Sequence, residues 1–337
     1  MLTAECCNAF PSANKQSSLL TCRCDLAKLC IHDLDIHNLV ISRWSSCSSR
    51  SSLVWPGARA ENTGCTQTIP NTRQALLSSE LRLGTSTFGC SVDALRGARL
   101  SSLRVHSRER LITYRTHAQA TAWGAYPMVP FAGRVRDGRF THDGVTHQLP
   151  LNTDVHAIHG TVFDVAWSTV DYSPSHAVLV ALLGPRWPFG GNVTHAISVD
   201  AHERSITCTL TVTTTSPSAP AQVGWHPWFL RPATLDVQFS EMYTRDARYI
   251  PDGRRVAPPQ GPWDDCFIGA QKTPAVIFGD GVRLNVESDC DHWVVYDMPT
   301  HALCLEPQSG PPDGFTLAPH VITPQSPLQR TMKLIAR

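Results

Sequence analysis

Apolar and polar residues alternate strictly in several stretches of this chain, and the alternation begins near residue 81. In the clearest case, every second residue from Ile206 to Val212 is apolar, and the residues between them are threonines. A period of two is typical of a β-strand that buries one face and exposes the other. We therefore predict strands, and no long amphipathic helix, for residues 81–337.

Turn signals separate the predicted strands and indicate how they connect. Asp143-Gly144 fits a type I′ hairpin turn, and Gly279-Asp280-Gly281 joins a second hairpin. Many short strands with Pro and Gly between them predict a large antiparallel β-sandwich or barrel. The other predicted strands are Leu100–Val105, a fully buried Val178–Leu183, Ala275–Phe278, Val282–Val286, His292–Tyr296, Ala302–Glu306 and Thr331–Ile335.

Residues 1–80 lack this alternation, and we predict a disordered, Ser/Cys-rich extension that precedes a β-sandwich domain at residues 81–337. Within the extension, Asp25 to Val40 has enough leucine and isoleucine for one short helix, with Asp25 as its N-cap.

Eight of the 12 cysteines lie in the first ninety residues. Cys22, Cys24 and Cys30, with two nearby histidines, match none of the usual spacings of zinc ligands, so we predict no metal site there. The four later cysteines occupy apolar contexts and are expected to be small buried hydrophobic residues. These are Cys208, Cys266, Cys290 and Cys304.

Charge and hydropathy exclude several classes of partner. The 337 residues carry a formal net charge of +1 and a sequence pI near 7.6. This balance argues against nucleic-acid or membrane-surface binding, which normally needs a basic excess. No apolar run approaches the roughly 18 residues of a membrane span, and the first residues lack the features of a secretory signal. We expect a soluble cytoplasmic protein that needs no metal or cofactor.

Glu306 is the first candidate for chemistry, because it lies at the end of a predicted strand. Leu303 and Leu305 point to one face of that strand, which leaves Glu306 on the other face. Pro307 should end the strand, and Ser309–Gly314 should form a loop. From spacing alone, a surface glutamate is the simpler interpretation.

His226 is the second candidate, since it lies between Trp225 and Pro227-Trp228 in the sequence GWHPWF. Aromatic neighbours restrict and partly dry an imidazole, which is how a proton-transfer group is oriented and its pKa is tuned. A histidine packed in a tryptophan-lined core is an equally good interpretation of this motif alone.

Three further polar stretches contain aromatic or apolar residues, the combination that a sugar site needs. They are Tyr126–Phe140, Asp154–Gly160 and Trp263–Phe267, and they contribute Arg134, His159 and the pair Asp264-Asp265. Each has a simpler interpretation: Arg134 as a solvated arginine, Asp264-Asp265 as a turn cap. His156 and His159 also have the spacing of a metal pair, but a third ligand is missing.

Together, in this order and at these distances, the five stretches resemble the aldose 1-epimerase (galactose mutarotase) family, over roughly residue 82 to the C-terminus. The resemblance implies a β-supersandwich fold, Glu306 as general base and His226 as general acid. It also implies that sugar hydroxyls are held by Arg134, His159, Gln308 and one aspartate. The resemblance favours Asp264 over Asp265, because Asp264 lies three residues before Phe267, as the family's aspartate usually does.

The chain departs from the family at one position of this motif. Gly133 precedes Arg134 where the family usually has asparagine, which affects the expected substrate preference but removes neither proton-transfer group.

Three alternatives remain at this stage. A hexose-6-phosphate mutarotase needs basic residues at the pocket rim, for which Arg231, Arg254 and Arg255 are candidates. A non-catalytic carbohydrate-binding protein would keep the pocket without the reaction. A glycoside hydrolase would pair Glu306 with Asp264 or Asp265 but would leave His226 without a role.

Overall fold

Two large antiparallel sheets contain most strands of the computed structural model, which describes residues 79–337. The first sheet has the order β1-β2-β3-β5-β15-β23-β22-β19-β17-β18, with β4 paired to β3. Its strands are β1 (Glu80–Gly84), β2 (Phe88–Asp93), β3 (Arg99–Val105), β4 (Arg108–Glu109), β5 (Ala125–Met128), β15 (Gly224–Leu230), β17 (Phe239–Arg245), β18 (Pro251–Val256), β19 (Asp264–Ala270), β22 (His292–Tyr296) and β23 (Ala302–Gln308).

The second sheet has the order β10-β11-β12-β13-β25-β21-β20-β16. Its strands are β10 (Ser168–Ser173), β11 (His176–Leu182), β12 (Asn192–Asp200), β13 (Ser205–Val212), β16 (Ala233–Asp236), β20 (Ala275–Phe278), β21 (Arg283–Ser288) and β25 (Leu328–Ala336). Three two-stranded sheets complete the described part: β6 (Arg134–Val135) with β9 (Ala157–Ile158), β7 (Arg139–His142) with β8 (Val145–Gln148), and β14 (Ala219–Pro220) with β24 (Val321–Ile322).

Helices are short in residues 79–337. They are one 3-10 turn at Arg136–Gly138 and one α-helix, α1, at Gly314–Leu317. Within these residues, no helix is long and apolar enough to cross a membrane. The predicted helix Asp25–Val40, the early cysteine cluster and nearly all of the predicted extension lie outside the described residues.

Both large sheets contribute side chains to one apolar core, as expected for a β-sandwich. Leu103 and Leu305 of the first sheet and Ile197, Leu210 and Leu334 of the second belong to the same buried cluster. The alternation predicted for β13 is present, because its odd-numbered threonines are half-buried and the apolar residues between them are buried. The predicted antiparallel β-sandwich is confirmed.

The two predicted hairpins are also present. Asp143 (φ 48°) and Gly144 (φ 75°) both have left-handed backbone conformations between β7 and β8, as a type I′ turn requires. Gly279-Asp280-Gly281 connects β20 to β21, although the second strand begins at Arg283.

Two strand predictions need correction. Val178–Leu183 is not buried on both faces: β11 alternates, and Leu182 is 74% exposed, because one face of this sheet meets solvent. Pro307 does not end β23, which continues to Gln308. A proline removes only one donor, and flanking strands β15 and β22 hold Gln308 in register with Gly224 and His292.

Candidate active site

The candidate site lies on the face of the first sheet that points away from the sandwich core. On β15, Trp225 and Phe229 point into the core, so His226, which directly follows Trp225, points to the opposite face. On β23, Leu303 and Leu305 point into the core in the same way and leave Glu306 on the outer face. Strand alternation therefore brings two residues 80 positions apart in sequence to the same side of the sheet.

Strand register then places His226 and Glu306 opposite each other. β15 and β23 are neighbours, with Gly224 opposite Gln308 and Trp228 opposite Cys304 on either side of the pair. His226 Nε2 lies 3.1 Å from Glu306 Oε1. Gln308 Nε2 donates a hydrogen bond of 3.1 Å to the other carboxylate oxygen, Oε2. The two predicted proton-transfer groups are in direct contact.

Burial controls the protonation of this pair. Glu306 is 2% exposed and His226 is 5% exposed. Burial, reinforced by the charge of Asp264, raises the pKa of Glu306 well above its usual value, although Gln308 and Arg134 oppose the shift. Burial lowers the pKa of His226 to about 3. Both shifts favour the neutral form of each group, so the pair holds one titratable proton, and the 3.1 Å contact is short enough for its transfer between Glu306 and His226.

Two aromatic rings fix the plane of the His226 imidazole. Tyr126 stacks on it with ring centroids 4.8 Å apart, and Trp228 stacks with centroids 5.2 Å apart. The carbonyl of Thr121 accepts a hydrogen bond from Trp228 Nε1 (2.9 Å) and a longer one from the Tyr126 hydroxyl (3.4 Å). The prediction that Trp225 also flanks His226 is wrong, because Trp225 points into the core on the other face of β15.

His159 completes the wall beside His226. The two rings meet edge to face, with centroids 5.0 Å apart. Burial lowers the pKa of His159 well below its usual value, with His226 and Arg134 adding to the shift, so this imidazole is neutral near pH 7. Its Nδ1 is buried and has no hydrogen-bond partner within residues 79–337. A buried, unpaired ring nitrogen of this kind is suited to a ligand hydroxyl.

Arg134 enters the site from β6, which belongs to a separate two-stranded sheet. Its guanidinium carbon lies 5.1 Å from the centre of the Tyr249 ring. The preceding residue, Gly133, has φ +66°, and a Cβ there would lie 2.8 Å from side-chain atoms of Pro312. Pro312 thus occupies the space that a side chain at position 133 would need, which gives the departure from asparagine a steric reason.

The two adjacent aspartates differ in their partners. Asp265 accepts a 2.6 Å hydrogen bond from Arg245 Nε in an ion pair. Among the described residues, Asp264 has no ion-pair partner, and burial raises its pKa despite the nearby arginines. Asp264 is therefore the aspartate with a free carboxylate.

A cavity of about 230 Å³ brings the predicted residues together. All six line it: Arg134, His159, His226, Asp264, Glu306 and Gln308. Sequence reasoning missed other lining residues, among them Gln119, Asn152, Tyr243, Arg245, Tyr249 and Tyr296. Tyr296 ends a strand that was predicted correctly, but only the sheet order places it opposite Asp264.

The four later cysteines are buried, as predicted. His156 does not pair with His159: its Nδ1 accepts a hydrogen bond from the Asp137 N–H.

Comparison with known proteins gives the same assignment. The profile of the aldose 1-epimerase family matches residues 85–330. Among curated proteins, the uncharacterised Escherichia coli K12 protein YphB is 34% identical over 122 residues, which is 34% of this chain. The match spans only 40% of the length of YphB.

Three solved structures share the fold. A candidate aldose 1-epimerase of Escherichia coli K12 has a TM-score of 0.68 at 22% identity, covering 77% of this chain and 98% of its own. A Caenorhabditis elegans aldose epimerase homologue has a TM-score of 0.67 at 11% identity, covering 77% and 98%. The galactose 1-epimerase of Lactobacillus acidophilus has a TM-score of 0.65 at 18% identity, covering 77% and 94%. Because the family profile matches most of this chain, residues 85–330, the chain belongs to the aldose 1-epimerase family.

Proposed function

We propose that this chain is an aldose 1-epimerase that interconverts the α and β anomers of an unphosphorylated hexose. The observation that carries the proposal is the buried contact of 3.1 Å between Glu306 and His226 in a cavity lined with hydrogen-bonding groups. Anomer exchange needs an acid and a base on two oxygens that share one carbon. Two proton-transfer groups in contact satisfy that requirement.

The reaction follows from the position of one shared proton. With the proton on His226, the Glu306 carboxylate removes the proton of the C1 hydroxyl while the imidazolium protonates the ring oxygen. The bond between C1 and the ring oxygen breaks, the C1–C2 bond rotates, and ring closure by the reverse transfers gives the other anomer. The pair holds one proton at the start and at the end, and each general acid–base step typically contributes about 10²–10⁴-fold.

The remaining polar groups hold the sugar during ring opening. Within residues 79–337, Arg134 and Asp264 have no ion-pair partner, so both can make charge-assisted hydrogen bonds to sugar hydroxyls. Gln308 donates a hydrogen bond to Glu306. In the described part of the chain, His159 Nδ1 and Gln308 Oε1 are buried without a hydrogen-bond partner, so both can bind sugar hydroxyls. These groups would keep the open-chain sugar in place while the C1–C2 bond rotates.

The cavity supports a small, uncharged substrate. Its volume of about 230 Å³ is below the ~300–1,000 Å³ of typical pockets for drug-sized ligands, which favours a monosaccharide. The three arginines considered for a phosphate group do not line it: Arg231 donates to four backbone carbonyls, Arg254 pairs with Asp252, and Arg255 pairs with Glu241. The lining Arg245 is already paired with Asp265. These four arginines are therefore already paired and give no support to the phosphorylated alternative.

The decisive variant is Glu306→Gln, which keeps the shape of the side chain and removes the base. We expect anomer exchange of galactose or glucose, followed by polarimetry and exchange NMR, to fall by at least about 10²-fold. Sugar binding, measured by calorimetry, should change little. Glu287→Gln, on an exposed position of β21, is the matched control and should keep the full rate.

Other outcomes would contradict the proposal. A normal rate in Glu306→Gln would remove the proposed base. Sugar binding by the unmodified chain without faster anomer exchange would instead identify a carbohydrate-binding protein. A preference for a hexose 6-phosphate over the free hexose would overturn the assignment of an unphosphorylated substrate.

A further inference from the structure

A buried thiol lies beside the proposed proton-transfer pair and has no part in the mechanism. Cys304 is on the same face of β23 as Glu306, two residues earlier, and opposite Trp228 of β15. The Cys304 thiol, one ring nitrogen of His226 and a Glu306 carboxylate oxygen lie within 4.8 Å of one another. Among the described residues, this is the one group of three such side chains close enough to hold a metal ion.

We propose that His226, Cys304 and Glu306 form a reversible inhibitory site for a thiophilic divalent cation such as Zn²⁺. Imidazole, thiolate and carboxylate are the three ligand types that Zn²⁺ takes in proteins, at about 2.0–2.3 Å. Such bond lengths place ligand atoms roughly 3–4 Å apart, close to the 3.1 Å that separates His226 Nε2 from Glu306 Oε1. A Cys304 thiol turned toward the pair supplies the third ligand, and water from the cavity, which His226 and Glu306 line, supplies the fourth.

The charge balance favours a divalent ion. All three side chains are buried, so an isolated charge there is costly. Binding releases the proton of the Cys304 thiol and the proton held by the Glu306–His226 pair, and leaves a thiolate, a carboxylate and a neutral imidazole. Two negative charges neutralise one divalent cation, so the loaded site has no net charge. The thiolate selects Zn²⁺ or Cd²⁺ over Mg²⁺ and Ca²⁺, which prefer oxygen ligands.

The surroundings of His226 indicate a reversible site. A histidine in a permanent zinc site normally donates its second N–H to an acceptor, and loss of that acceptor typically weakens binding by about 10–100-fold. Within residues 79–337, His226 Nδ1 is buried and has no hydrogen-bond partner. The ion would therefore bind and leave, and while bound it would occupy both proton-transfer groups. That consequence rests on the proposed function, whereas the binding itself does not.

The test compares Cys304→Ser with Cys266→Ser in the reduced, full-length chain. Cys266 is a matched control because it is also a buried thiol on the first sheet, it lines the cavity, and it lies outside the group of three. Equilibrium dialysis against Zn²⁺ should find one bound ion fewer per chain in Cys304→Ser than in the unmodified chain or in Cys266→Ser. The ions are counted as a difference because the chain has 11 other cysteines, which are the same in the compared chains except for the substituted one.

The second measurement is inhibition of anomer exchange by Zn²⁺. Cys304→Ser should keep the basal rate and need at least about tenfold more Zn²⁺ for half-inhibition. Cys266→Ser should match the unmodified chain, and Mg²⁺ should not inhibit. Cys304→Ala serves as a second variant if the serine variant does not fold.

Equal stoichiometry and equal inhibition in the Cys304 variants and the unmodified chain would overturn the metal site. If the unmodified chain shows no anomer exchange, the proposed function fails, and the dialysis measurement alone still decides whether the metal site exists.

Discussion

At the scale of single residues, Asp264 and Asp265 are adjacent in sequence but have different environments. Asp265 is tied to Arg245, whereas Asp264 has no ion-pair partner among residues 79–337. Loss of a hydrogen bond to a charged group typically costs about 1.5–3 kcal/mol, or about 10–100-fold in affinity. We expect Asp264→Asn to raise KM for the hexose by that factor.

The neighbouring variant separates binding from stability. Asp265→Asn breaks the ion pair with Arg245, so it should lower the urea midpoint while KM changes less than in Asp264→Asn. Steady-state kinetics and urea unfolding on both variants test this. A larger KM effect at Asp265 would reverse the assignment of the sugar-binding aspartate.

The protonation of the Glu306–His226 pair predicts an unusual pH profile. The pair gains a second proton only when His226 is protonated, and burial lowers that pKa to about 3. It loses its one proton at the pKa of Glu306, which burial raises well above the usual value. The one-proton form therefore persists as the pH falls through ~6.5, where an ordinary imidazole would titrate. Above the folded pKa of Glu306, the proton is lost and activity should fall.

We therefore expect kcat/KM at about pH 5 to remain within about twofold of its value at about pH 7. The measurement is the enzymatic rate after subtraction of the spontaneous, buffer-catalysed anomer exchange at each pH. A steep loss of activity centred near ~6.5 would show that His226 titrates with an ordinary pKa.

At the scale of elements, a buried arginine supports the strand that carries Tyr126. Arg99 of β3 is fully buried, and it donates hydrogen bonds of 2.7–2.9 Å to four backbone carbonyls. Its guanidinium carbon also lies 5.0 Å from the centre of the Tyr126 ring, which in turn stacks on His226. Burial lowers the pKa of Arg99 to about 10, so it stays charged near pH 7.

Arg99→Met should therefore destabilise the fold strongly. The variant leaves four carbonyls without their donor, and each buried polar group left unsatisfied typically costs about 1–3 kcal/mol. Urea unfolding measures this cost. Arg82→Met is the matched control, because that side chain is 77% exposed and its ion pair with Glu80 is 3.6 Å long. The control should change the free energy of unfolding by less than about 0.5 kcal/mol.

Sequence patterns predicted where strands and turns lie along the chain better than they predicted which strands pair in the sheets. Strands such as His292–Tyr296 and the Asp143-Gly144 hairpin follow from local alternation and turn chemistry, and both are present. The continuation of β23 through Pro307 depends on strands on both sides, which a local pattern does not contain. The stacking of Tyr126 on His226 was not predicted for the same reason, since it depends on the pairing of β5 with β15.

The site residues show the same division. The six residues that line one cavity could be predicted because their motifs carry the resemblance to the family. Tyr243, Tyr249 and Tyr296 come from strands or loops with no such motif, and the sheet order brings them together. The free carboxylate of Asp264 also depends on a tertiary contact, namely the ion pair that occupies Asp265.

At the scale of the whole molecule, the predicted division into an extension and a domain leads to the last prediction. The family profile begins at residue 85, and β1 begins at Glu80 at one edge of the first sheet. Ser79 adds one backbone contact, because its carbonyl accepts the N–H of Ala94. Every residue that lines the cavity lies between Gln119 and Pro312. A chain of residues 76–337 thus keeps the whole site and all strands of the described part.

We expect this shortened chain to fold and to keep the kcat/KM of the full-length chain within about twofold, because no catalytic or sugar-binding group is removed. Cooperative urea unfolding and anomer-exchange rates for both chains test this. A third chain that starts at residue 95 removes β1 and β2, including Leu81, Leu83 and Cys90 of the core, and should not fold. Loss of activity in residues 76–337 with folding intact would instead show that the first 75 residues contribute to the site.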